Sequence, residues 1–174
     1  MGLAEHRKES PGAVRFAVIT VSDTRDAATD KGGDYLVRAI VDAGHVAARR
    51  SLVRDDASAI DAAVREAVRA GDVDLVLLTG GTGIAPRDVT TPTLERMFES
   101  AIPGFGELFR WLSYREIGSA AILSRATAGL VEGKVVIALP GSPKALELAM
   151  KEIVLAEAGH LVAQTRGPSP GAAT

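Results

Sequence analysis

The segment Leu75 to Pro92, L-V-L-L-T-G-G-T-G-I-A-P-R-D-V-T-T-P, constrains the fold more than any other part of the chain. Leu75 to Leu78 is an apolar run with the length of a buried strand. It opens into Thr79-Gly80-Gly81-Thr82-Gly83, a turn without bulky side chains, where backbone amides can approach a ligand closely. Arg87 and Asp88 follow, and Thr91-Pro92 has the pattern of a helix cap and first helical residue. The donors suit a phosphate, and a carboxylate beside it can hold a metal ion. The segment reads as an anion-binding loop with a catalytic acid attached, in an enzyme that handles a nucleotide or a phosphorylated cofactor.

The same alternation of strand and helix runs through the chain. Val14 to Val21, Val46 to Val53 and Lys134 to Leu139 are further strand candidates. Leu36, Val37, Ile40 and Val41 have the spacing of an apolar helix face, stopped at Gly44. Ser58 with Asp61 resembles a capping box, opening a helix that ends near Gly71. Helices are also expected over Thr91 to Ser100, Gly104 to Tyr114 and about Pro143 to Glu157. The expected fold is a single-domain, three-layer α/β structure over residues 14–166, its mostly parallel sheet covered by helices on both faces. Residues 1–13 are expected to form a flexible leader, and 167–174, rich in Gly, Pro, Ser and Ala, a disordered tail. Ligands of such sheets bind beyond the carboxyl ends of the strands. Four unusual loops fall there: Ser22-Asp23, Arg54-Asp55, Gly80 to Asp88, and Pro140 to Lys144.

Composition removes several classes of function. A net charge of −2 gives no general attraction to nucleic acid or acidic lipid, and no basic patch is interleaved with aromatics. No apolar stretch has the roughly 18 residues of a membrane span, and Met1 to Pro11 lacks the apolar segment of a signal peptide. Without cysteine there is no disulfide framework, thiolate metal site or cysteine nucleophile. A cytoplasmic enzyme acting without nucleic acid or membrane fits best.

The glycine turn is not a Walker loop, because no Gly-Lys-Ser/Thr closes it. It also misses the dinucleotide fingerprint, since Gly81-Thr82-Gly83-Ile84-Ala85-Pro86 ends in proline. Asp55 and Asp88 are the candidate catalytic carboxylates. Either would also serve as a helix cap or as the partner of adjacent Arg54 or Arg87. Two aspartates after neighbouring strands, both facing a glycine loop, instead suit Mg²⁺ held against phosphates, with Asp55 as its ligand. Lys144 lies in a first helical turn, where a cation opposes the helix dipole unless an anion is bound. His6, His45 and His160 lack metal-ligand spacing. Phe98, Phe105, Phe109, Trp111 and Tyr114 crowd into one region. There Phe105, Phe109 and Leu112 share a helix face while Trp111 and Tyr114 project elsewhere, the pattern of a subunit interface.

At these residues the sequence resembles the molybdenum-cofactor biosynthesis family that contains MogA, MoaB and the G domain of gephyrin. The matching pieces are Thr20-Val21-Ser22-Asp23, Asp30-Lys31-Gly32, Thr79 to Gly83, Arg87-Asp88-Val89-Thr90, Pro103 to Glu107, Ser124-Arg125-Ala126 and Pro140-Gly141-Ser142-Pro143-Lys144. Phe109-Arg110-Trp111-Leu112-Ser113-Tyr114-Arg115-Glu116-Ile117-Gly118 is similar to a stretch of the MoaB branch. The resemblance implies an enzyme that adenylylates molybdopterin with Mg-ATP, releasing pyrophosphate. It implies Asp55 and Asp88 in catalysis, and Ser22, Asp23, Asp30, Gly80, Gly81, Thr82, Gly83, Pro140, Gly141, Ser142 and Lys144 in binding. It also implies a homotrimer or homohexamer, with other proteins of the pathway as partners. Some MoaB proteins depart from the pattern at the acidic positions, so a catalytically silent molybdopterin carrier or scaffold is the alternative. Molybdate insertion is disfavoured, because the related insertion proteins carry extra domains.

Overall fold

The computed structural model describes residues 11–166. Most of the expected leader and all of the expected tail lie outside the described residues. Six strands form one sheet: β1 (Arg15–Val21), β2 (Val46–Val53), β3 (Leu75–Thr79), β4 (Ser100–Ala101), β5 (Thr127–Val131) and β6 (Lys134–Leu139), in the order β2-β1-β3-β6-β5-β4. The first four in that order are parallel; β5 is antiparallel to β6, and β4 to β5. Phe16, Leu75 and Val135 are in register across the centre.

Side chains alternate between the faces of a strand, and the two cores follow that alternation. Phe16, Val18, Leu75, Leu77, Val135 and Ile137 point to one face. They pack there against Leu36 and Ile40 of α1 (Lys31–Asp42), Phe105 and Phe109 of α4 (Pro103–Ile117), and the C-terminal helices. Ala17, Ile19, Val76, Leu78 and Val136 point to the other, against Ile60, Val64 and Val68 of α2 (Ala57–Arg69) and Leu94 of α3 (Thr90–Met97). Because β3 is covered on both faces, all five of its residues are buried, which is why it reads as a continuous apolar run. The edge strand β2 is largely exposed. Its Arg49 pairs with Asp72 and its Arg50 with Asp30 and Asp34, charges that discourage edge-to-edge pairing.

The structure departs from the sequence reading in three places. Ser100 belongs to β4 and not to the preceding helix, which stops at Met97. Together β4 and β5 are an antiparallel extension the sequence did not announce. Its hairpin turns on Glu132 and Gly133, both at positive φ (49° and 73°), the geometry that matches strand twist. The amides of both turn residues donate to the Glu99 carboxylate. Second, α2 begins two residues earlier than the Ser58–Asp61 box implies. Asp56 is the cap, accepting from the Ala59 amide, while Ser58 donates to Asp56 and Asp61 pairs with Arg65. Third, the last helix is not one piece. A wide π-type turn, Met150–Val154, joins α5 (Pro143–Ala149) to α6 (Leu155–Arg166), well past Glu157.

Candidate functional site

The chain leaves β1 toward β2 on one side and reaches β3 on the other, so the loops after β1 and β3 diverge and open a crevice at the carboxyl rim. The glycine loop occupies it. Gly80 packs so tightly on the end of β1 that an added Cβ would lie 2.3 Å from the Val21 carbonyl oxygen, and its φ of 103° excludes ordinary side chains. Its amide donates to the Leu139 carbonyl, tying the loop to the end of β6 (3.1 Å).

The loop's carbonyls are turned inward and held. Gly81 O accepts from the Thr90 amide and Thr82 O from the Arg125 amide, each at 3.1 Å. The Arg125 guanidinium donates to the carbonyls of Gly83 (2.7 Å) and Asp88 (2.6 Å), and Thr91 Oγ1 donates to the Arg125 carbonyl (2.8 Å). Among the described residues no carboxylate is paired with Arg125, so its positive charge lies under the loop unneutralised by an ion pair. Arg125 is the organising residue that local sequence reasoning missed. It was visible only as part of the Ser124-Arg125-Ala126 piece, because its partners are 37 and 42 positions away.

Gly80 to Gly83, Asp88, Ser124, Leu123 and the turn Pro140-Gly141-Ser142 together line a cleft of about 330 Å³. Asp88 Oδ2 accepts from the Ala85 amide (2.9 Å), closing the end of the loop. Ser142 caps α5, accepting from the Ala145 amide (3.3 Å). A larger cavity of about 610 Å³ adjoins the cleft and shares Ser124 with it. It is walled by Arg125, Arg110, Glu107 and Glu95 with apolar Phe98 and Ile122.

Asp55 follows β2, and its amide donates to Asp23 Oδ1 (3.2 Å), so two acidic residues from adjacent loops meet. Burial pushes the Asp55 carboxyl above the ordinary carboxylate value, and the nearby Asp88 and Asp23 charges add to this. The Val89 amide and Arg87 pull the other way without cancelling it. Asp55 Oδ1 is buried and has no hydrogen-bond partner.

The other expected site residues lie apart from the cleft. Ser22 Oγ accepts from the amides of Thr24 and Arg25 and shapes the turn after β1. Asp30 is 1% exposed and caps α1 through the Gly33 amide, while Thr20 and Arg50 donate to its second oxygen. Burial alone would raise the Asp30 carboxyl; Gly33, Arg50 and Thr20 outweigh it, and the group lies below the ordinary value. Lys144 is exposed and faces a separate surface groove with Glu116, Glu147, Lys151 and Glu152. Among the described residues no three His, Cys, Asp or Glu side chains form a metal cage, and no helix is long and apolar enough to cross a membrane.

A mostly parallel sheet with a clamped glycine turn, a second glycine–serine turn and acidic loops at its carboxyl rim defines an α/β protein with one cleft at the end of its central strands. The chain belongs to the molybdenum-cofactor biosynthesis family of molybdopterin-binding domains: residues 17–160 match the family model described as "Probable molybdopterin binding domain". It is 46% identical to molybdenum cofactor biosynthesis protein B of Bacillus subtilis over 95% of this chain and 98% of that one. A crystal structure of a molybdenum cofactor biosynthesis protein B superposes with a TM-score of 0.88 at 44% identity, covering 91% of this chain and 99% of that one. The tungsten cofactor synthesizing protein MoaB from Pyrococcus furiosus gives 0.79 at 36% identity, covering 90% and 99%. The expected resemblance to the MoaB branch and the expected α/β architecture both hold.

Proposed function

We propose that the protein is a molybdopterin adenylyltransferase. The observation that carries this reading is the meeting of the glycine loop, the Pro140–Ser142 turn and Asp88 on one cleft, with the half-buried Asp55 against Gly81 beside it. An oxygen of the terminal phosphate of molybdopterin forms a bond to the α-phosphorus of ATP. The bond from that phosphorus to the β-phosphate bridging oxygen breaks, and pyrophosphate leaves. The loop amides, whose carbonyls are already held elsewhere, supply fixed donors for phosphate oxygens, and the Arg125 charge beneath them favours an anion. The cleft is small for a nucleotide and a pterin together, and the adjoining cavity offers the added room.

Hard oxygen donors and a buried carboxylate oxygen without a partner fit Mg²⁺. The absence of a three-carboxylate cage among the described residues fits an ion that arrives with its nucleotide. Asp55, assisted by Asp88, would hold it. Bound there, Mg²⁺ would neutralise charge developing on the phosphates. The chain's own part is to orient: Asp88 braces the loop through Ala85, and Asp55 presents a carboxylate that a nearby cation would keep ionised.

Incubating the pure protein with molybdopterin, Mg²⁺ and ATP tests the proposal; adenylylated molybdopterin and pyrophosphate should form together. Tight molybdopterin binding without product from folded protein would replace the enzyme by the carrier. Assembly belongs to the same proposal. Trp111, Tyr114 and Ile117 are each more than half exposed on α4, and Ile122 and Leu123 continue the strip. Burial of such surface contributes about 25 cal/mol per Å², which supports a homotrimer or homohexamer closed through this segment. Light scattering should give a multiple of 18.1 kDa, and Trp111→Glu should lower it.

A further inference from the structure

Thr90 opens α3 and is completely buried, yet its hydroxyl has no hydrogen-bond partner. A threonine in a first helical turn ordinarily bonds its hydroxyl to a neighbouring backbone group. Thr91, the next residue, donates to the Arg125 carbonyl as already described, whereas Thr90 does not bond in either manner. A valine would occupy the same volume with nothing polar to satisfy, so packing does not account for this hydroxyl. Among the buried side-chain atoms of the described residues, the other one left without a partner is Asp55 Oδ1.

The two orphans face the same point. A Cβ built on Gly81 would lie 2.3 Å from Thr90 Oγ1 and 2.7 Å from Asp55 Oδ1. Gly81, at φ 63°, therefore leaves open the small space that a hydroxyl from α3 and a carboxylate from the loop after β2 both border. The Thr90 amide donates to the Gly81 carbonyl at 3.1 Å, which holds the residue's backbone against the loop. The carboxylate can move, because the terminal torsion of aspartate is soft. A donor without an acceptor and an acceptor without a donor border one space, each buried.

We propose that Thr90 is a positioning residue for Asp55: its hydroxyl donates to Oδ1 and turns the second carboxylate oxygen toward a divalent cation carried by the nucleotide. The pair is open in this structure, its two atoms bordering one space without a hydrogen bond. Asp23 from the loop after β1, Asp88 and Arg87 from the glycine-loop segment, and Arg54 and Asp56 beside Asp55 are the charged groups around it. None of them supplies a hydrogen bond to Oδ1; the one other donor acting on this carboxylate is the Val89 amide, next to Thr90 in the chain. This inference rests on the nucleotide-binding reading but needs no turnover.

Binding of Mn²⁺ with ATP, and of ATP alone, is measured by electron paramagnetic resonance and calorimetry on the intact protein. Thr90→Val should weaken cation-dependent binding about tenfold, the usual effect of losing an outer partner of a metal ligand. It should leave cation-free ATP binding unchanged, and Thr90→Ser should restore the wild-type value. Thr90→Ala provides a second hydroxyl-free variant should valine disturb the fold. Hydroxyl-free variants that fold and bind Mn²⁺ with ATP as tightly as wild type overturn the proposal. So does a serine variant as weak as valine, which would assign the effect to the methyl group, or a wild-type protein that binds no cation. Cation binding that depends on Thr90, in a protein that makes no adenylylated product, would uphold Thr90 while refuting the adenylyltransferase.

Discussion

Asp74, a buried aspartate, and Asp55, a half-buried one, lie at opposite ends of the same sheet, and their surroundings drive them in opposite directions. Asp74 lies at the amino end, just before β3. It accepts from the Arg15 amide, from Arg15 Nε and Nη2, and from Arg166 Nη2, all within 2.9 Å. Chiefly through the Arg15 side chain, its carboxyl is held down to about 2. Asp55, at the carboxyl end, is pushed up by burial and by acidic neighbours and keeps an oxygen without a partner. A carboxylate whose every oxygen is satisfied serves the fold. One that folding leaves short of donors is available to something that binds.

Removing each group should separate these roles. Asp74→Ala removes the charged hydrogen bonds from Arg15 and Arg166, whose side chains are half exposed and stay solvated, and should cost about 2–3 kcal/mol of stability in urea unfolding. A loss below about 1 kcal/mol would show that the amino-end cluster is ornamental. Asp55→Asn should do the reverse. Unfolding free energy should stay level or rise slightly, while adenylyl transfer falls by about 100-fold or more. A variant that lost stability and kept its rate would invert the comparison.

Acid should sharpen it. The Asp74 pKa is lower folded than unfolded, so its contribution is complete above the unfolded value of 3.8 and is lost as pH falls toward about 2, amounting to about 2 kcal/mol. The Asp55 pKa is raised on folding, so its ionised form costs stability above the folded value, and that cost is relieved as pH falls toward 3.8. Difference curves of Asp74→Asn and Asp55→Asn against wild type should therefore slope in opposite senses. A smaller effect is expected from Arg125→Met, which leaves the ends of the sheet intact. Freed carbonyls at Gly83 and Asp88 should loosen the loop and weaken ATP binding about tenfold by calorimetry, roughly the worth of one charged hydrogen bond.

What the sequence disclosed follows the same division between local and distant causes. The run Leu75 to Leu78, the glycine turn and the strand Lys134–Leu139 were legible because burial on both faces and a positive φ each leave a residue-level mark. β5 was not, since Thr127-Ala128-Gly129-Leu130-Val131 has weak strand propensity and is specified by its hairpin turn and by β6. The cap of α2 was misplaced because Asp56, Ser58 and Asp61 all suit a helix start, and only the backbone decides among them. Asp55 and Asp88 were singled out from residue type and position. Apart from the family-matching piece that contains Arg125, the clamps Arg125 and Asp74 left no local mark, as their bonds reach across 34 to 92 residues.

The Arg125 clamp also determines how portable the glycine loop is. Four carbonyls of the Thr79–Asp88 segment are held from other elements, three of them by a single residue just before β5. A graft of Thr79 to Asp88 onto a foreign strand–helix pair would import the turn's residues and leave the carbonyls of Gly81, Thr82, Gly83 and Asp88 to find new donors. The transplanted peptide would relax to whatever turn its new host favours, with its amides scattered. A designer wanting this anion cradle must move a discontinuous module, loop and arginine and the helix start at Thr90 and Thr91 together, as one unit of exchange.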